Sequence, residues 1–302
     1  MAKSEDLSGL KTIGDWVRYS FSCMNEAKIV CGHGTDNRWD EAVSLVYQAL
    51  HLPWDTNPRV WETRLTKAER KKLAKWLKKR VSSRLPLAYI SGKALYAGLE
   101  FQVSEATLIP RSPIFQLIEQ DFYPWIELPA NAGHHRFLDL CTGSGCLAIL
   151  MAAHHFDAEV VGSDISPEAL EIANQNKQEL GVPNVEFVQS DVFEQIEGRF
   201  DVIISNPPYV GAEEMATLPV EYQHEPVDAL EAPDNGLALA KKILQQSANY
   251  LNDGGLLVLE VGNSDDALEQ AFPNIPFVWV EFEQGGHGVC VFSKAELIKY
   301  FQ

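Results

Sequence analysis

No apolar run in this 302-residue chain approaches the ~20 residues that a membrane span needs. The opening Met1-Ala2-Lys3-Ser4-Glu5-Asp6 lacks the apolar core of a secretory signal. Cysteines number only five, Cys23, Cys31, Cys141, Cys146 and Cys290, an odd count with no CxxC pair to hold zinc or run redox exchange. Reduced thiols in the cytoplasm are therefore the expected state, with no bound metal. There is no internal repeat and no low-complexity tract. Cations are scarce in one half: residues 111–302 carry 8 Lys and Arg against 30 Asp and Glu, net −22, whereas residues 1–110 carry 17 against 12, net +5. Such asymmetry marks two modules. A strongly acidic module repels nucleic-acid phosphates and suits a basic protein partner.

What is present is 46% hydrophobic and 22% charged, the balance of a globular chain large enough for one big domain or two smaller ones. Residues 1–88 read as a helical domain. Leu10, Ile13, Trp16, Val17 and Phe21 recur at helical spacing, and a second amphipathic stretch runs from Asp40 to Leu52. A third opens on Thr66 with Glu69 three residues later, a capping box, and carries Arg70, Lys71, Lys72, Lys75, Lys78, Lys79 and Arg80 opposite its apolar face. Residues 89–111 suggest a β-hairpin linker, ending at Pro110-Arg111-Ser112-Pro113. From there residues 112–302 form the third segment. A short helix is expected at 114–122, then strands at 136–140, 159–163, 185–189, 200–205, 256–261, 277–282 and 288–293 alternate with helices. The fold class is α/β: a seven-stranded, mostly parallel sheet with helices on both faces and an antiparallel edge pair.

Phe137-Leu138-Asp139-Leu140 runs into Cys141-Thr142-Gly143-Ser144-Gly145-Cys146 and a helix. Glycines at a strand-to-helix turn let a ligand approach the backbone closely. The next strand ends at Asp164, placed to accept from ribose hydroxyls, and the third at Ser190-Asp191, placed to meet an adenine amine. Asp139, on the strand before the loop, would repel a pyrophosphate but favour a sulfonium and its ammonium group. S-adenosylmethionine fits these three acids better than NAD does.

The strand Phe200–Ser205 ends in Asn206-Pro207-Pro208-Tyr209. Two prolines fix the backbone and donate no N–H, so nearby carbonyls stand as acceptors. Asn206 adds a side-chain acceptor and Tyr209 a π face. That set suits a planar NH₂ group, an amide or a base amine. Glutamine amide, adenine N6 and cytosine N4 all remain open from this motif.

Asp139 to Gly145, Asp164, Ser190-Asp191 and Asn206 to Tyr209 together resemble the HemK/PrmC family of glutamine N5-methyltransferases. Tyr89-Ile90-Ser91-Gly92, Gly98, Phe101 and Leu108-Ile109-Pro110-Arg111 extend the match into the linker. The resemblance implies a class I methyltransferase domain behind an N-terminal substrate-recognition domain. It implies that Asn206, Pro207, Pro208 and Tyr209 are catalytic. It also implies that Asp139, Cys141, Thr142, Gly143, Gly145, Asp164, Ile165, Asp191, Val192 and Asn206 hold S-adenosylmethionine. After Asp191 the family often has an aromatic residue; Val192 stands there, so either Phe193 substitutes for stacking or the contact is aliphatic. Gly32-His33-Gly34-Thr35-Asp36-Asn37 with Trp39, Pro110-Arg111-Ser112-Pro113-Ile114 and the glycine loop are similar to the branch that methylates large-subunit ribosomal protein L-three. Release-factor methyltransferases usually read Pro-Arg-Pro-Glu-Thr-Glu at the second of these sites. A release-factor enzyme, a nucleic-acid amine methyltransferase and a non-catalytic ribosome-assembly factor stand as rivals.

Other residues carry two readings each. The basic run Arg70–Arg80 fits ribosomal RNA contact or a solvated helix face. His33 and Asp36 fit substrate contact or a polar turn. Glu221, His224, Glu225 and Pro226 are expected on a segment covering the site, in contact with substrate peptide or simply exposed. Cys141 and Cys146 are expected to pack rather than react.

Overall fold

The computed structural model describes residues 7–128 and 134–302. The chain divides into two units, Met1–Lys93 with Pro219–His224, and Ala94–Leu218 with Glu225–Gln302.

The first unit is helical. Helix α1 (Ile13–Glu26) starts at a capping box in which Thr12 and Asp15 satisfy each other's backbone N–H groups. Helix α2 (Arg38–Leu50) is capped by Asn37, whose Oδ1 accepts from Asp40 N at 2.9 Å. Helix α3 (Lys67–Ser82) has the expected Thr66/Glu69 box. Trp16, Val17, Leu45, Val46, Leu73 and Leu77 close a core between them. The linker expectation is corrected at its start: Leu87–Ser91 is a helix, α4, opened by Pro86 and stopped by Gly92 at φ 79. Ile90 packs on the helical core, which is why the segment coils rather than extends.

The hairpin is β1 (Lys93–Tyr96) and β2 (Leu99–Gln102), joined by Ala97 and Gly98, both at positive φ. The second unit continues with α5 (Phe115–Glu119), β3 (Arg136–Leu140), α6 (Cys146–His154), β4 (Glu159–Asp164), α7 (Pro167–Leu180), β5 (Val185–Gln189) and β6 (Phe200–Ser205). It ends with α8 (Ala212–Met215), α9 (Ala238–Tyr250), β7 (Leu251–Glu260), α10 (Asp265–Ala271), β8 (Val289–Ser293) and α11 (Lys294–Phe301). The sheet order is β5-β4-β3-β6-β7-β8, parallel except for β8. The run 277–282 pairs with β8 only at the bridge Trp279–Cys290, so the regular sheet has six strands among the described residues. Pro273 and Pro276, which have no N–H to donate, stand at its entrance.

Side chains alternate across the sheet. Phe137, Val202, Ile204 and Val258 pack under α6, whereas Leu138, Leu140, Ile203 and Leu257 pack under α9. Burial on both faces explains why these strands read as unbroken apolar runs. The chain winds outward from β3 to β5 and returns to β6 on the other side of β3. That reversal opens a crevice at the carboxyl ends of β3 and β6, where Leu140 pairs with Ser205.

Candidate active site

A cavity of about 550 Å³ opens at this crevice. Of the residues expected to hold a cofactor, Asp139, Cys141, Thr142, Gly143, Asp164, Ile165, Asp191, Val192 and Asn206 all line it. Gly145 lies outside the lining set and acts from behind. It starts α6 at φ 78, and a Cβ there would meet Phe187 Cζ at 2.7 Å and Ala173 Cβ at 2.9 Å. The position therefore serves both the turn and the close packing of α6 on α7.

The glycine loop is tied to two carboxylates. Asp139 is 1% exposed, and its Oδ2 accepts from Thr142 Oγ1 at 2.5 Å and from Ala148 N at 3.1 Å. Burial pushes its pKa to about 7 against those hydrogen bonds, helped by the charge of Asp164. Asp164 Oδ2 accepts from Gly143 N at 2.9 Å, and its Oδ1 accepts from Ser166 N at 2.9 Å. It too is raised by burial despite these bonds. Neither has a salt-bridge partner among the described residues. Asp191 differs, since Lys242 Nζ reaches its Oδ1 at 2.8 Å. Lys242 sits on α9 and no motif marks it.

Val192 is 5% exposed and contributes an aliphatic wall. Phe193 does not replace an aromatic there: it is 2% exposed and stacks on Tyr250 at 4.4 Å in the core under α9. Burial raises the thiols of Cys141 and Cys146, the latter to about 12, so neither is a nucleophile at neutral pH.

The turn after β6 places Asn206 and Pro208 on the cavity wall. Asn206 Oδ1 is buried and has no hydrogen-bond partner among the described residues. Pro207 is buried, and Tyr209 turns its hydroxyl toward Glu260 Oε1 at 3.4 Å, so neither lines the cavity. Burial raises the Tyr209 phenol, and the neighbouring Glu260 charge adds to the rise. A Cβ at Gly262 would lie 2.5 Å from the Tyr209 ring, and Ser264 Oγ donates to the Tyr209 carbonyl at 2.8 Å.

Of the expected cover residues Pro226 lines the cavity, whereas the other three have structural partners instead. Glu225 is 3% exposed and holds Arg111 in a fork at 2.6 and 2.8 Å, while also accepting from Ile109 N at 3.0 Å. Glu221, 1% exposed, belongs to the helical unit, where it accepts from Val30 N at 3.0 Å and Arg84 Nη1 at 2.9 Å. His224 Nε2 lies 2.9 Å from Ser83 O. Arg80, expected on the basic face, is 1% exposed and donates to Glu41 Oε1 at 2.6 Å. His33 is 8% exposed and packs on the Tyr222 ring at 4.3 Å. Glu260 was missed, although its signal is the one that marks Asp139, a carboxylate at the carboxyl end of a buried apolar strand.

A model described as a methyltransferase domain matches residues 132–284. The ribosomal protein uL3 glutamine methyltransferase of Francisella tularensis subsp. tularensis is 42% identical over 302 residues, covering 99% of this chain and 95% of that protein. The chain belongs to the ribosomal protein uL3 glutamine methyltransferase family. The family member of Xanthomonas campestris pv. campestris is 44% identical over 292 residues, 96% of this chain and 94% of that one. Among solved structures, the hMettl16 catalytic domain in complex with MAT2A 3'UTR hairpin 6 matches with a TM-score of 0.51, covering 83% of this chain and 92% of that chain. At 15% identity that likeness shows the fold alone. Membership means an α/β methyltransferase of class I architecture. No helix among the described residues is long and apolar enough to cross a membrane.

Proposed function

We propose that this chain transfers a methyl group from S-adenosylmethionine to a glutamine side-chain amide of ribosomal protein uL3. The observation that carries this reading is Asn206 Oδ1, a buried acceptor left without a partner among the described residues at the edge of a cavity. Such an atom costs about 1–3 kcal/mol unless a ligand N–H meets it.

The cavity suits the cofactor. Asp139 is buried and Asp164 half-buried, both with raised pKa values and no salt-bridge partner among the described residues, so a positively charged ligand relieves both. S-adenosylmethionine supplies a methyl group on a sulfonium cation. When it is bound, Asp139 would face that positive end, Asp164 would accept from ribose, and Ser190-Asp191 with the Val192 wall would hold the adenine side. Gly143 and the positive-φ backbone at Cys141 keep the loop open to close approach.

An amide nitrogen is a poor nucleophile because its lone pair is delocalised. Asn206 Oδ1 accepts an N–H of the glutamine amide and fixes the nitrogen's direction of attack. This acceptor interacts more strongly as nitrogen becomes electron-poor, so it favours the transition state. Pro208 stiffens the turn, and the proton leaves after transfer without a dedicated base. The helical residues up to Ser91 choose the protein substrate, the hairpin and the segment up to Arg111 link them to the catalytic residues 112–302, and the enzyme works in the cytoplasm. A ribosomal protein that binds RNA is basic, which the −22 charge of residues 111–302 favours. The exposed lysines of α3 are read as touching ribosomal RNA.

The test offers labelled S-adenosylmethionine with uL3, release factor or RNA, and maps the label by mass spectrometry. Label on one glutamine of uL3 is expected. Asn206→Ala should keep cofactor affinity and lose turnover by about 10²–10³-fold. An Asn206→Ala enzyme of normal turnover would sink the mechanism, and label on release factor or RNA would sink the substrate.

A further inference from the structure

We propose that Ser112 and Glu260 are a positioning pair that holds the Tyr209 ring, and through it the Asn206–Tyr209 turn, in working orientation. This rests on the methyl-transfer reading above. Glu260 is the last residue of β7 and is 5% exposed. Its Oε2 accepts from Ser112 Oγ at 2.5 Å, and its Oε1 accepts from Tyr209 Oη at 3.4 Å. Ser112 is itself anchored: its carbonyl accepts from Tyr96 Oη at 2.6 Å, and its Oγ accepts from Ile114 N at 3.2 Å. A chain of hydrogen bonds thus runs from β1, through the segment before α5, to the end of β7 and onto the turn after β6.

This arrangement costs stability. Glu260 has no salt-bridge partner among the described residues; Arg111, a cation whose charge acts on it, is paired with Glu225. Burial raises its pKa to about 7, opposed by Ser112, Arg111 and Tyr209. A buried carboxylate without an ion partner is a poor device for stability alone. It is a good device for placing a ring, since an ionised carboxylate accepts from both hydroxyls at once. Protonation turns one oxygen into a donor and breaks one of the two bonds. The groups facing Glu260 are Ser112 and Arg111 ahead of α5, Tyr209 after β6 and Tyr96 on β1.

Glu260→Gln, Ser112→Ala, Tyr209→Phe and the double variant Glu260→Gln/Tyr209→Phe test this in the full chain. S-adenosylmethionine affinity, by calorimetry, should stay within about 2-fold of wild type, because none of these changes touches Asp139, Asp164 or Asp191. With uL3 as substrate, kcat of each single variant should fall by about 10-fold with KM little changed. The double variant should be no worse than the poorer single, since both remove one link of the same chain. The acid limb of kcat near pH 7 should vanish in Glu260→Gln. Independent, additive losses, an unchanged kcat or a persisting acid limb would each overturn the pair. If Glu260→Gln does not fold, Ser112→Ala and Tyr209→Phe, each lacking one hydroxyl, form the same cycle. A wild-type enzyme that leaves uL3 unlabelled contradicts the methyl-transfer reading instead, and is recognised before any variant is made.

Discussion

The two units bury charge in opposite ways. In the helical unit Arg80 and Glu41, 1% and 3% exposed, meet at 2.6 Å, and Arg80 Nη2 donates to Val30 O at 2.9 Å. Thr35 also donates to Glu41, and Arg84 reaches both Glu221 and the Ala27 carbonyl. Burial pushes the Glu221 carboxyl up, yet the Val30 N–H and the Arg84 guanidinium outweigh it, and its pKa lies below the ordinary value. In the methyltransferase unit Asp139 and Glu260 are as deeply buried, but burial wins and both rise to about 7. The first arrangement pairs every one of these charges with an opposite one inside the unit, although Arg80 Nη1 and Glu221 Oε2 have no hydrogen bond among the described residues. The second leaves charge that only a ligand, or a moving proton, can balance. Buried charge that is paired reads as structure, and buried charge left short of a partner reads as chemistry.

The largest effect expected from breaking this contrast is on Arg80. Arg80→Met keeps most of the volume and strips the cation from Glu41, leaving a buried carboxylate with only Thr35 to donate. A loss of about 3–5 kcal/mol in urea denaturation is expected. Replacing Glu41 as well, by Leu, should recover part of that loss because no charge is then stranded. A loss under about 1 kcal/mol for Arg80→Met would mean that the helical unit's buried charge is not held by pairing.

Much of the catalytic unit was legible because its signals are local. Short segments rich in aliphatic and aromatic residues, RFLDL and VEFVQ, mark β3 and β5 at their observed bounds, and the Thr66/Glu69 box marks the start of α3. Asp139 and Asp164 were legible because a carboxylate at a buried strand's end has few other reasons to be there. The rest depends on partners distant in sequence. Arg80 reads as one more cation on a basic helix, and its anchors Glu41 and Glu221 lie 39 and 141 residues away. Phe193 and Val192 are neighbours in sequence, yet the positive φ of 53° at Val192 turns one to the cavity and the other to the core. Tyr209 was read as a wall of the cavity from its motif alone. Its direction is set by Gly262 and Glu260, about fifty residues later in the chain.

A smaller effect, in the opposite direction, is expected at Asp139. Both internal hydrogen bonds fall on Oδ2. Asparagine with its oxygen there keeps both and loses only the charge. The folded-state pKa of about 7 lies above the ordinary aspartate value of 3.8. Stability linked to this proton is therefore complete below about pH 4 and is lost as pH rises through 7. Asp139→Asn should thus make the cofactor-free protein more stable at pH 8, by something on the order of 2 kcal/mol, with no gain at pH 4. The same variant should bind S-adenosylmethionine at least about 10-fold more weakly. A variant that is less stable than wild type at pH 8 would place Asp139 with Arg80, as a structural group.

The smallest effect concerns charge that neither unit buries. Lys71, Lys75, Lys78 and Lys79 are exposed on α3, spaced by three or four residues, so they form one stripe. The helix has no acidic residue after Glu69, and none of the four has an ion-pair partner among the described residues. Lys72 and Arg80 do not belong to the stripe: Lys72 lies 5.1 Å over the Trp76 ring, and Arg80 is internal. If the stripe meets ribosomal RNA, each lysine on a phosphate adds about 0.7–0.9 to the slope of log affinity against log salt. The triple change Lys71→Ala, Lys75→Ala, Lys78→Ala should then lower that slope by about 2 for binding to RNA-bearing ribosomal particles. Turnover on free uL3 should stay unchanged, because the stripe supplies no group to the cavity after β3 and β6. An unaltered slope would return these lysines to the solvent, and would leave the acidic unit alone as the source of partner choice.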